Sequence, residues 1–204
     1  MLVATCALGP EPAAGGAIVA RAPSQLPPPV AGQSVNAALR SGKVRYRLPG
    51  ATAFVALTEP LQLPIGTTFD TTAGRVTLTS ASDPRGGTQK AWFYEGTFTV
   101  GQTAGDHPIT TLTLAGAKPI CTKAPSPRAT TKRKSRHLWG DGKGRFRTSG
   151  QFSSATVRGT RWVVVDRCDG TLTRVVRGVV AVRDFARHTT VLVRAGHEYL
   201  ARPR

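Results

Sequence analysis

The chain has 204 residues, with 28 Lys and Arg against 11 Asp and Glu and a formal net charge of +17. That length allows one domain or two small ones. The charge favours a polyanionic partner, bound less tightly as salt rises, without choosing among nucleic acid, anionic lipid and anionic cell-wall polymer. No run of 18 apolar residues is present, which excludes a transmembrane helix within the given sequence.

Residues 7–33 are crowded with Pro, Gly and Ala and show no apolar periodicity, so residues 1–33 read as a disordered leader. Met1 to Leu8 is apolar but lacks a basic n-region and a full hydrophobic region. It reads as an incomplete signal peptide, with the expectation that the true start lies upstream or that the chain is a piece of a longer surface protein. Ser34 to Gly42 fits either a short helical turn or the approach to a first strand. Lys43 to Arg47 alternates cleanly and predicts a half-buried strand.

Short β-branched segments follow, each closed by a turn signal: Phe54 to Leu57, Leu61 to Ile65, Thr67 to Thr71 and Arg75 to Thr79. Asp83-Pro84-Arg85-Gly86-Gly87 is a turn. Lys90 to Tyr94 and Gly96 to Val100 predict a hairpin about Glu95-Gly96, and Thr110 to Leu114 alternates once more. Residues 34–115 therefore read as an N-terminal β half. Residues 116–137, rich in Pro, Ser, Thr, Lys and Arg, read as a basic flexible linker.

Residues 138–204 resume the β pattern as a C-terminal half that can pack with the first as one domain. Gly140 to Arg147 has too little spacing before Gly142-Lys143 for a phosphate-binding loop, and it predicts an irregular loop anchored by Trp139 and Phe146. From Val157 to Asp166 the run is apolar on both faces, as a central strand requires. Asp169-Gly170 signals a hairpin. Segments from Leu172 to Arg177, Val179 to Arg183, Val191 to Arg194 and about Tyr199-Leu200 complete the pattern. The fold class expected is all-β, a barrel or sandwich or a β-solenoid-like arrangement of short antiparallel strands.

The charge is uneven: 8 basic and 6 acidic residues up to residue 115, then 20 and 5 from residue 116 onward. Candidate polyanion-binding residues follow: Lys132, Arg133, Lys134 and Arg136 in the linker, and Arg158, Arg161, Arg174 and Arg177 among the strands. Three cysteines lack Cys-x-x-Cys spacing and four histidines are scattered, so no metal or cofactor is expected. Cys121 and Cys168 are candidates for a disulfide tying the linker to the C-terminal sheet. For catalysis, His197-Glu198 could join Ser153 or Ser154, but nothing in the spacing requires it, and no enzyme is expected.

Val157-Arg158-Gly159-Thr160, Asp169-Gly170 with its following β run, Gly178-Val179-Val180-Ala181-Val182, and Val191-Leu192-Val193 before Ala195-Gly196 resemble, in that order, the FecR family of extracytoplasmic β domains. Gly66 to Thr71 followed by Gly74 to Leu78 is similar to the family's N-terminal half, with Thr67 where Asp is usual. The resemblance implies a non-enzymatic β module outside the cytoplasmic membrane. The expected role is binding or structural at the cell envelope, secreted or on the surface, with an envelope protein or anionic polymer as partner. Two alternatives stand beside it. One is a polyanion- or nucleic-acid-binding protein acting through the basic half, although nucleic acid is disfavoured by the few aromatics and the lack of a helix-turn-helix pattern. The other is a component of sigma-factor regulation.

Overall fold

A computed structural model describes residues 26–119, 121 and 135–204. The expectations for residues 1–25 and for most of the basic linker, Lys132, Arg133 and Lys134 included, lie outside the described residues. Among those described there are fifteen strands and no helix. The first half supplies β1 (Ser34–Arg47), β2 (Val55–Ala56), β3 (Leu61–Pro64), β4 (Thr68–Ala81), β5 (Thr88–Tyr94), β6 (Thr97–Gln102) and β7 (Thr110–Leu114). The second supplies β8 (Arg136–Lys143), β9 (Phe146–Ser149), β10 (Ser153–Val157), β11 (Thr160–Arg167), β12 (Gly170–Arg177), β13 (Val179–Asp184), β14 (Thr189–Arg194) and β15 (Glu198–Ala201).

The strands form one almost closed, barrel-like sheet. Long β4 is its hinge. One edge of β4 is lined by β1, from Asn36 opposite Thr79 to Arg47 opposite Thr68. Its other edge is shared end to end by β5, opposite Arg75 to Ala81, and β6, opposite Thr68 to Asp70. Glu95-Gly96 is therefore not the expected hairpin turn. It is a bend within one long strand, with the Glu95 amide donating to the Thr71 carbonyl and the Thr71 amide to that of Gly96. Glu95 adopts φ 59°, and a Cβ on Gly96 would overlap the His137 carbonyl, so only glycine lets β8 pass there.

From that bend the sheet runs two ways. One arm is β5-β8-β11-β12-β15, and the other is β6-β7-β9-β10-β13-β14. The ladders are antiparallel except for β7 with β9. The halves on either side of the basic linker interleave, because β5 pairs with β8 and β7 with β9.

The core fills the space between the arms. Phe93 lies at its centre, 5.6 Å from Phe98, 5.6 Å from Phe146 and 6.2 Å from Trp162, and Phe69 stacks on Phe98. All five rings are fully buried, each burial contributing about 2–3 kcal/mol. The Trp162 indole also donates to Thr148 Oγ1 at 3.0 Å, so its one polar atom is satisfied.

Several local expectations change in the structure. Ser34 to Gly42 belongs to the fourteen-residue β1, with register shifts after Leu39 and Lys43, rather than to a helical turn. Leu26 to Gln33, expected to lack structure, includes a turn in which the Val30 carbonyl accepts from the Gln33 and Ser34 amides. The predicted irregular loop from Gly140 to Arg147 is instead a strand, a two-residue turn and the start of another strand. Its glycines are strand residues because they face crowded neighbours: a Cβ on Gly140 would run into the Trp162 ring, and one on Gly142 would lie 2.5 Å from Ala91. Val157 to Asp166 is not one strand, since Gly159 at φ +122° turns the chain between β10 and β11. The hairpin turn after β11 is Cys168-Asp169, with Gly170 already paired to Arg167.

The two ends of the sheet, β14 and β15, meet at a seam. The turn joining them hydrogen-bonds to β12: Gly196 N donates to Val175 O, and Val175 N to His197 O. At the far end, Asp184 Oδ2 accepts from the Tyr199 hydroxyl at 2.8 Å, and Arg204 donates to the Ala186 carbonyl. Cys121 and Cys168 are joined by a disulfide, with their Cα atoms 5.4 Å apart. Among the described residues, no helix is long and apolar enough to cross a membrane.

Candidate functional site

Three turns converge at one end of the β5–β8–β11 arm: Ser82 to Gly87 between β4 and β5, Gly144-Arg145 between β8 and β9, and Arg158-Gly159 between β10 and β11. Between them lies a groove of about 1030 Å³. Five cations line it: Lys90, Lys143, Arg145, Arg158 and Arg177. Lys90 and Lys143 are brought together directly, as opposed residues of the β5–β8 ladder. Like charges in that register repel, an arrangement that a bound anion relieves.

The neighbouring polar groups hold the groove's walls in shape. Buried Gln89 accepts from the Arg145 amide at 2.6 Å through Oε1 and donates to the Ala81 carbonyl and Thr110 hydroxyl, which fixes the Gly144-Arg145 turn against β7. Asp83 Oδ1 accepts from the amides of Arg85 and Gly87. The Gly87 and Arg85 amides hold its carboxyl below the ordinary 3.8, so Asp83 serves the turn. Asp141, the groove's other carboxylate, pairs with Arg177 at 2.8 Å. Lys90, Lys143, Arg145 and Arg158 have no carboxylate partner among the described residues.

A second feature lies beside the groove on the outer face of the same arm. Alternation along β5 turns Phe93 inward and sets Trp92 and Tyr94 on the opposite face, where Tyr94 is nonetheless buried beneath its neighbours. Tyr94 stacks on Trp139 of β8 with the ring centroids 5.9 Å apart and the planes 4° apart. The Arg75 guanidinium lies over Tyr94 at 4.3 Å, and that of Arg161 is 5.6 Å from the Trp139 ring. The strand order β4-β5-β8-β11 sets these two arginines at opposite ends of the ring pair. Arg40 covers Trp92 at 3.9 Å.

The sequence-derived candidates divide. Arg158 and Arg177 line the groove, and Arg161 belongs to the stack. Arg174 pairs with Glu198 at 2.8 Å in the next cross-strand position. Arg136 is different: its guanidinium makes a 2.7 Å ion pair with Asp166, whose side chain is 1% exposed and also accepts from Gln151 N and Thr171 Oγ1. It serves the barrel's interior. The candidates missed were Lys90, Lys143, Arg145, Arg40 and Arg75. Alternation in Lys90-Ala91-Trp92-Phe93-Tyr94 already aligned Lys90 with two aromatics on one face; what it could not reveal was which strand lay alongside.

Ser153 is fully buried and Ser154 nearly so, whereas His197 sits exposed in the β14–β15 turn, and no hydrogen bond joins them. Among the described residues, no three His, Cys, Asp or Glu side chains gather as a metal would require. No family model, curated protein or solved structure matches this chain.

Proposed function

We propose that this chain is a non-enzymatic β module acting outside the cytoplasm, where it binds an anionic polymer of the cell envelope in the groove lined by Lys90, Lys143, Arg145, Arg158 and Arg177. The observation that carries the reading is the pairing pattern in the groove: four cations without a carboxylate, and two carboxylates already engaged. A shallow strand-face groove ringed by cations suits a charged polymer lying along it, held by electrostatics and released by salt. The Cys121–Cys168 disulfide favours an oxidising compartment. It agrees with the extracytoplasmic β modules that the Val157 to Gly196 motifs resemble.

The test is titration with a sulfated glycan and with inorganic polyphosphate across a salt series. Four ionic contacts, from the cations without a carboxylate, give a slope of log K against log salt of about −2.8, at about 0.7 per contact. Lys143→Gln with Arg158→Gln lowers the slope by about 1.4. A slope unchanged in that double variant places the binding elsewhere and refutes the reading.

A further inference from the structure

The outer-face stack extends the groove and bears on what the polymer is. Trp92 belongs to both, lining the groove while lying under Arg40. Asp141 of the groove opposes Trp92 on one side and Arg161 on the other in the β5–β8–β11 ladder. A polymer leaving the groove across the strands therefore meets the guanidinium groups of Arg161, Arg75 and Arg40 next. All three residues are exposed, and none has an ion-pair partner among the described residues.

Their rings are not free to read a ligand. Tyr94 has Arg75 on one side and Trp139 on the other, and Trp139 lies between Tyr94 and Arg161. Proteins that hold single-stranded nucleic acid draw much of their affinity from bases stacked on open aromatic faces. At Tyr94 and Trp139 those faces are covered from both sides, and at Trp92 the Arg40 guanidinium takes one of them. What the face offers is the in-plane N–H edges of guanidinium groups whose orientation the rings fix, the geometry that pairs two-pronged with carboxylate, sulfate or phosphate oxygens.

We propose that this face is a charge-reading subsite of the groove and that its ligand is an anionic glycan, with the charges borne on the sugar rings, rather than a nucleic acid. The inference rests on the groove reading above. Bases would gain no stacking on Tyr94 or Trp139, whose sides are already taken by each other and by Arg75 and Arg161. A glycan brings its anions to the guanidinium edges directly.

Three probes separate the possibilities at about physiological salt: a heparin-type sulfated decasaccharide, a dT 20-mer, and an abasic deoxyribose-phosphate 20-mer. The expected result is that the two phosphate polymers bind within about twofold of each other and the glycan at least about fivefold tighter than either. Arg75→Gln with Arg161→Gln lowers glycan affinity about tenfold, as loss of two charge-assisted contacts implies. Arg161→Lys, which keeps the charge but loses the planar fork, lowers it about threefold. Both arginines are exposed, and a melting temperature equal to wild type checks that the variants fold. A dT 20-mer that matches the glycan, or exceeds the abasic polymer by fivefold or more, means that bases are read and overturns the inference. So does an Arg75/Arg161 double variant within twofold of wild type. If instead the Lys143/Arg158 double variant keeps full affinity, the groove itself is wrong.

Discussion

The disulfide lends itself to a measurement whose size follows from the fold. Cys121 and Cys168 are 47 positions apart, and the loop they close contains β8, β9, β10 and β11. Fixing a loop of that length in the unfolded chain removes entropy equivalent to roughly 4 kcal/mol at room temperature. Disulfides generally deliver somewhat less than this loop entropy, about 2–4 kcal/mol. For a domain of this size each kcal/mol shifts the melting temperature by about 2–4 °C. Cys168→Ser should therefore melt about 4–16 °C below wild type, and Cys121→Ser by the same amount, since each removes the same bond. Calorimetry with and without a thiol reductant checks both: reductant lowers wild type to the variants' level and leaves the variants unmoved. A wild-type melting temperature that ignores reductant, or two serine variants that differ by more than a few degrees, would refute the reasoning.

Gly140→Ala places a methyl group against the buried Trp162 ring. It should cost about 1–3 kcal/mol, read by urea unfolding, and an unchanged midpoint would mean that β8 and β11 are not in register at Gly140. Arg136→Ala leaves Asp166 buried without its cation. It should cost about 2–4 kcal/mol while leaving glycan affinity within twofold; the reverse outcome would return Arg136 to the binding surface. At the seam, burial opposes the charge on Asp184, but the Arg187 amide, the Tyr199 hydroxyl and the Ala186 amide outweigh it and hold the carboxyl below its ordinary 3.8. Burial, reinforced by the Asp184 charge, raises the Tyr199 phenol above 10.0. A depressed carboxyl contributes stability that is complete above its unfolded pKa and is lost as pH falls through the folded one, whereas a raised phenol loses its share as pH climbs past 10.0. Asp184→Asn should flatten the acid limb of a stability–pH curve measured below about pH 4. An acid limb identical to wild type would show that the seam pair is not linked to folding.

How much of this was legible beforehand depended on whether the signal was local. The alternation in Lys43 to Arg47, Arg75 to Thr79 and Thr110 to Leu114 is a two-residue period that one strand displays by itself. All three segments are strands. Glu95-Gly96 misled because a bend and a hairpin turn draw on the same residues, and only the partner strand decides between them. Gly140 and Gly142 misled for a related reason. Glycine signals a loop unless a ring is packed opposite, and Trp162 is 22 positions from Gly140. In the groove, Arg158 and Arg177 were accessible through the charge imbalance. Lys90 and Lys143 were not, because they meet only through a ladder that spans the basic linker.

That ladder dictates an order of events. Neither β5 nor β7 gains its outer partner until the residues after the basic linker are available. A nascent chain ending at the linker presents two open strand edges, which invite association with other chains. Long-range pairing of this kind slows folding. Two polypeptides divided between Cys121 and Arg136 should likewise be insoluble when made separately and recover a common sheet when made together.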